Sequence, residues 1–195
     1  LANIMTEGLL YVLSEDKTIG AIPDLRGRSI AVPFKGDTPE ILFTQLLRHH
    51  GIADADIKIT YVGTPVEATQ LLFAGRVEAA LLVEPAASAT MLRGRMAGKD
   101  VARVIDMTDA WAEMTGGPAV LPMAGLAVTR AIFEQAPEAV GPLRDALRAA
   151  TREVLADPLA AAANATGAFG LPAPVIAESI PHSRLVARDA SEIHP

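Results

Sequence analysis

Between residues 23 and 85 three short apolar runs, 29–32, 57–62 and 79–83, alternate with two amphipathic stretches that carry helix start and stop signals. Runs of this length rich in Val, Ile, Leu and Ala predict strands. A strand–helix–strand–helix–strand order predicts a parallel sheet, because parallel neighbours need a crossover connection. Such crossovers are right-handed, so both helices start from the edge where the strands end. Ligands of open α/β sheets bind outside that carboxyl edge. Here the edge is made of residues 33–38, 63–65 and 84–86, and any binding function is expected there.

The two helices announce themselves chemically. Gly36-Asp37-Thr38-Pro39-Glu40 fits Thr38 as the N-cap with Pro39 in the first turn, where a missing N–H costs nothing. Asp37 with Glu40 offers a capping box one residue earlier. Ile41, Leu42, Phe43, Leu46 and Leu47 give the buried stripe, and Gly51 ends it. Thr64-Pro65-Val66-Glu67 has the same capping pattern, followed by Ala68, Leu71, Leu72 and Ala74 and stopped by Gly75.

Around this stretch, residues 9–13 predict a strand and 101–107 another. Residues 84–92 predict an alanine-rich helix, and 109–122 an irregular connector broken at Gly116-Gly117-Pro118. A strand is expected at 123–129, helices over 137–156, from Asp157 to about Gly167, and over 172–180, and a polar tail over 183–195.

Composition excludes several classes of function. The chain has 195 residues, half of them apolar, enough for one good core or two small lobes. A net charge of −6 and a pI near 5.2 argue against nucleic acid or an anionic membrane as partner. Aromatic residues are only 4%, too few for a stacking platform. The absence of cysteine removes disulfides, thiol catalysis and cysteine-ligated zinc. No run approaches the apolar length of a transmembrane helix, and no signal peptide is visible, which leaves the compartment open. GxSxG, HExxH, GxxxxGK[ST] and a dinucleotide fingerprint are all missing, so no catalytic residue, metal or cofactor is expected. His49 and His50 close a helix, where the dipole favours histidine.

At residues 24–32 the sequence DLRGRSIAV resembles the D-L-[KR]-G-[KR]-x-[IV]-[AG]-V motif that opens the second lobe of extracytoplasmic solute-binding proteins of ABC transporters. Within these it resembles the nitrate/sulfonate/taurine and pyrimidine-precursor (thiamine-pathway-like) group. The likeness continues through GDTPEILFTQLLRHHGI and VGTPVEATQLLFAGRVEAALLVEPAAS, and more loosely through residues 126–163. It implies an α/β, two-lobed, hinged periplasmic-binding-protein-like fold with parallel-rich sheets flanked by helices. Residues 1–22 would be the end of lobe one and the crossing strand, 23–111 lobe two, 112–122 the return hinge and 123–195 the return to lobe one. The opening strands and helices of lobe one would be missing from these 195 residues, which would make the sequence either a fragment or a truncated relative.

Carried over by position, the resemblance implies ligand contacts at Lys35, Gly36, Asp37, Thr38, Gly63, Thr64, Glu84 and Pro85. Thr6 and Glu7 at the crossing and Met123 at the return are further candidates. It also implies a small-molecule ligand, a membrane permease as partner, a periplasmic or extracytoplasmic location, a monomer, and no nucleic acid. Helix N-termini at Thr38 and Thr64 favour an anionic group, but Asp37 and Glu84 oppose Lys35, so an amine-bearing or zwitterionic organic ligand fits better than a bare anion. Two other classes share the architecture: enzymes of pyrimidine-precursor or menaquinone-pathway type, and effector-sensing domains of transcriptional regulators.

Overall fold

A computed structural model describes residues 3–189 and 192. Its strands are β1 (Asn3–Thr6), β2 (Leu10–Ser14), β3 (Ser29–Pro33), β4 (Lys58–Val62), β5 (Ala79–Val83), β6 (Ala102–Asp106), β7 (Ala124–Leu126) and β8 (Leu185–Asp189). Its helices are α1 (Thr38–His49), α2 (Pro65–Phe73), α3 (Ala86–Met96), α4 (Met107–Thr115), α5 (Arg130–Gln135), α6 (Val140–Ala156), α7 (Pro158–Phe169) and α8 (Ala173–His182). The chain divides into two compact units, Leu10–Ala119 and Leu1–Leu9 with Val120–Pro195. These boundaries differ from those expected at 22 and 111.

The larger unit holds a five-stranded sheet in the order β4-β3-β5-β2-β6. β3 pairs in parallel with both β4 and β5, as the strand–helix alternation requires. β2 runs antiparallel between β5 and β6, so the sheet is mixed. That placement moves residues 10–14 out of the lobe-one segment expected for 1–22. The physical reason is burial: all five residues of β2 are buried, and both its neighbours belong to the larger unit.

Period-two alternation sorts the sheet's residues onto two faces. Tyr11, Leu13, Ala31, Ala80 and Leu82 meet Ala68 and Leu72 of α2 and Ala87 of α3 in one cluster. The alternate residues, among them Val12, Ile30 and Leu81, are fully buried on the other face, where α1 packs on β3 and α4 on β2. Phe43 and Leu46 of α1 are wholly buried. Each such side chain stabilises the fold by roughly 1.5–3 kcal/mol relative to exposure.

At α1 the second of the two caps offered by the sequence is the one used, and at 109–122 the expectation changes. The N-cap of α1 is Asp37, whose side chain accepts from the Thr38 amide, so Thr38 is the first helical residue. The acid outcompetes the hydroxyl because an ionised acceptor makes the stronger bond to a backbone N–H. The connector expected at 109–122 is helical through Thr115. Asp106 caps α4 by accepting from the Thr108 amide at 2.8 Å, and Met107, Thr108 and Ala110 are buried. Gly116, at φ 65°, ends the helix in the left-handed conformation that glycine permits. The Gly-Gly-Pro breaker thus terminates α4 rather than preventing it.

The smaller unit has a three-stranded antiparallel sheet in the order β7-β1-β8. β7 is shorter than the strand expected at 123–129, because Thr129 already caps α5 by accepting from the Ile132 amide at 3.3 Å. Residues 183–195, expected to be a polar tail, contain β8. Its polar residues are held by partners far away in sequence: Arg144 and Arg148 of α6 grip Asp189, and Arg188 donates to Glu7 at 2.6 Å. Residues 190, 191 and 193–195 lie outside the described residues.

Candidate functional site

Sheet register defines the carboxyl edge of the larger unit. Pro33 stands opposite Val62, and the Phe34 amide donates to the Val62 carbonyl at 3.3 Å, so the loops leaving β3 and β4 depart side by side. The next strand, β5, ends at Val83 opposite Leu10, the first residue of β2. Lys35, Gly36, Asp37, Thr38, Gly63, Thr64, Glu84 and Pro85 therefore share one edge.

The first two loops are bound together by an acid. Glu40 accepts from the Gly36 amide at 3.3 Å through Oε2 and from the Tyr61 hydroxyl at 3.2 Å through Oε1. Lys35 Nζ lies 4.6 Å from the centre of the Tyr61 ring, a cation–π contact. Burial, then Glu40, pushes the Tyr61 phenol above its usual pKa. Gly36, at φ 86°, makes the turn that aims its amide at Glu40. At α2, Thr64 Oγ1 accepts from the Glu67 amide at 3.2 Å while Glu67 Oε2 accepts from the Gly63 amide at 2.8 Å. Asp37, Glu40 and Glu67 thus occupy the positive ends of both helix dipoles. Lys35, Gly36, Asp37, Thr38, Gly63 and Thr64 are all exposed.

Glu84 differs. Its side chain is fully buried, and its Oε1 accepts from Arg103 Nε at 2.8 Å and Nη2 at 2.5 Å. Oε2 accepts from the Ser88 amide at 3.1 Å, capping α3, and Arg103 Nη2 also donates to Ser88 Oγ at 2.7 Å. The Arg103 guanidinium stands over the Tyr11 ring, 5.3 Å from its centre. The charge expected from Glu84 at the edge is therefore neutralised by a partner 19 residues away.

The other three candidates belong to the smaller unit. Thr6 Oγ1 accepts from the Ala124 amide at 3.0 Å, and the Met123 amide donates to the Thr6 carbonyl at 3.4 Å. Glu7 is tied by its side chain to Arg188 and by its amide to the Arg184 carbonyl at 3.0 Å. The structure brings together eight candidates on one edge and these three around β1. Sequence inspection missed Arg103, Tyr61 and Ser88. Arg103 sits among Ala102, Val104 and Ile105 in ARVID, and no local spacing links it to Glu84.

A separate hollow of about 240 Å³ in the larger unit is lined by Ile22, His50, Asp106, Asp109 and Glu113 among others, and by none of the candidates. Among the described residues no group of three His, Cys, Asp or Glu side chains is placed to hold a metal.

The family model described as NMT1/THI5 like matches residues 1–161. The periplasmic aliphatic sulphonate binding protein SsuA from Escherichia coli is 26% identical over 94% of this chain and 59% of its own, with a TM-score of 0.73. An ABC transporter protein from Parabacteroides distasonis is 21% identical over 98% of this chain and 62% of its own, at 0.77. A putative periplasmic sulfonate-binding SsuA from Methylobacillus flagellatus KT is 20% identical over 96% and 53%, at 0.66. The last two likenesses are of fold, and the fold is the periplasmic-binding-protein type of α/β. The chain spans about three fifths of the length of the E. coli and P. distasonis structures. No curated protein sequence matches.

Proposed function

The chain belongs to the NMT1/THI5-like family, and on that premise we propose that it is the solute-binding part of an ABC importer. It captures a small polar organic molecule outside the cytoplasm and delivers it to a membrane permease. The observation that carries this reading is the shared edge: exposed Lys35, Thr38 and Thr64 and the backbone at Gly36 and Gly63 converge from adjoining strand ends. Such an edge is the usual ligand position in open α/β sheets.

The ligand is organic rather than a bare inorganic anion. Asp37, Glu40 and Glu67 already satisfy the starts of α1 and α2, and together they outnumber Lys35. A small anion would meet their charge without compensation, whereas an amine-bearing or zwitterionic solute would find partners for its positive group.

Native mass spectrometry and titration calorimetry test the reading with ethanesulfonate, 2-aminoethanesulfonate, ethylamine and an aminopyrimidine. Saturable binding of one of them, released chemically unchanged, is the expected outcome. Release of an altered molecule would make the protein an enzyme, and no binding across the panel would remove the solute-binding reading. Thr38→Ala is expected to weaken binding of that solute with the melting temperature unchanged. Wild-type affinity in that variant would remove α1's start from the site.

A further inference from the structure

In the larger unit's sheet, regular alternation breaks at β6. Val12 pairs with Ile105, but Leu13, the next residue on β2, pairs with Arg103, so Val104 is an extra residue on β6. A bulge of this kind re-aims a side chain. Without it Arg103 and Ile105 would share a face. With it, Arg103 joins Leu13 and Tyr11 on the face covered by α3, and its side chain runs past Tyr11 to Glu84 at the carboxyl edge.

The guanidinium is held from three sides. Glu84 takes Nε and Nη2, Ser88 Oγ takes Nη2, and the Tyr11 ring lies beneath its plane. Its side chain is 11% exposed. The second terminal nitrogen, Nη1, has no hydrogen-bond partner among the described residues, yet it is absent from the buried unpaired side-chain atoms, which are confined there to Asn3 and Thr108. Nη1 is therefore an unpaired donor that is not fully buried. A guanidinium fixed by a buried carboxylate loses little rotamer freedom when it binds an acceptor, and its remaining N–H groups are aimed before the acceptor arrives.

We infer that Arg103 is a specificity-determining residue of the proposed site, presenting Nη1 to an anionic group of the organic ligand, with Glu84, Ser88 and Tyr11 as its positioning residues. This rests on the solute-binding reading. It also assigns Glu84 a different place from the one the sequence implies: the acid orients the cation and does not itself face the solute. The acids at the starts of α1 and α2 and the cation beside the start of α3 together make one edge with separate places for a positive and a negative group.

The test compares 2-aminoethanesulfonate with 2-(methylsulfonyl)ethylamine, which keeps the amine and the shape and lacks the negative charge. Calorimetry is run on the wild type, Arg103→Lys and the double variant Glu84→Gln with Arg103→Met. The double variant removes both charges, so neither is left buried alone, and its binding of the neutral sulfone reports that the site is folded. The wild type is expected to prefer the sulfonate by about 10- to 100-fold, the range of one charge-assisted hydrogen bond. The double variant is expected to bind both probes equally, and Arg103→Lys to recover part of the preference. A merely structural pair would leave that ratio unchanged, so a preference that survives in the double variant overturns the assignment. So does wild-type binding of ethylamine or the aminopyrimidine in preference to 2-aminoethanesulfonate, an outcome that leaves the solute-binding reading standing. No binding of any solute by the wild type fails that reading and this inference together.

Discussion

The two units solve the problem of burial differently. In the larger, β2, β3 and β5 are covered on both faces, and Leu10, Leu13, Ile30, Leu81, Phe43 and Leu46 are wholly buried. In the smaller, buried apolar residues reduce to Ile4, Leu121, Ala162, Val175, Ile176 and Ile180 among the described residues, while Phe133, Leu155, Leu159 and Phe169 on its helices are about half exposed or more. One unit is contiguous in sequence with a closed core. The other is assembled from both ends of the chain around three strands. The lesson is that fold likeness across nearly the whole chain does not mean equal stability across it, because net stability follows buried apolar area less ordering entropy.

The largest expected effect is in amide exchange. Protection in β2 and β5 should exceed that in α5 and α7 by about three orders of magnitude or more, as between a core and a weakly covered region. Equal protection would break the contrast.

Next in size is the loss of a buried charge partner. Arg103→Met alone leaves Glu84 uncompensated and should destabilise the larger unit by about 3–5 kcal/mol in urea denaturation. Arg188→Met, which breaks an ion pair whose arginine is half exposed in the smaller unit, should cost about 1 kcal/mol or less. A similar loss from both would mean that the two units hold their charges alike. Leu81→Ala should cost about 2–5 kcal/mol, against less than about 0.5 kcal/mol for Leu159→Ala at 69% exposure, and chemical denaturation of each variant decides it.

Helix caps give a finer scale. Thr64→Ala removes the acceptor for the Glu67 amide and should lower the melting temperature of the larger unit by the equivalent of about 1 kcal/mol. The same change at Thr129, the cap of α5, should leave that transition unmoved. The smallest effect is that of pH. Hydrogen bonds from Arg28 and from Ser29 hold the Glu78 carboxyl below its usual pKa. Its contribution is therefore complete above the ordinary carboxylate range and is lost as pH falls through the lowered folded value. Because Glu78 is 43% exposed, the effect is small, and an acid titration of wild type against Glu78→Gln should differ only slightly and only at low pH.

What could be read from the residues follows the same division. Residues 29–83 were legible because every signal there is local: strand runs, capping acids, first-turn prolines and stopping glycines lie within a few positions of the structure they cause. β8 was not legible, because a polar pentapeptide becomes a strand only when β1 and the arginines of α6 meet it, far away in sequence. α4 was missed because a Gly-Gly-Pro breaker masks the helix it ends. In the candidate site the loop residues were placed on one edge by topology alone. The partnership of Glu84 with Arg103 could not be, since it depends on sheet order and on a bulge that no spacing announces.

The smaller unit's sheet has a consequence for synthesis. The larger unit is finished once Ala119 has left the ribosome and can fold while translation continues. β1 is made before both of its neighbours in the sheet, β7 and β8, and the second of them follows α1 through α8. Until β8 is made, the edge of Asn3–Thr6 that β8 takes lacks that partner, and a β1–β7 ribbon alone is marginal in water. A nascent chain stalled after Gly170 should therefore carry a protease-resistant Leu10–Ala119 unit and a protease-sensitive remainder, with resistance of the remainder arriving only after Asp189.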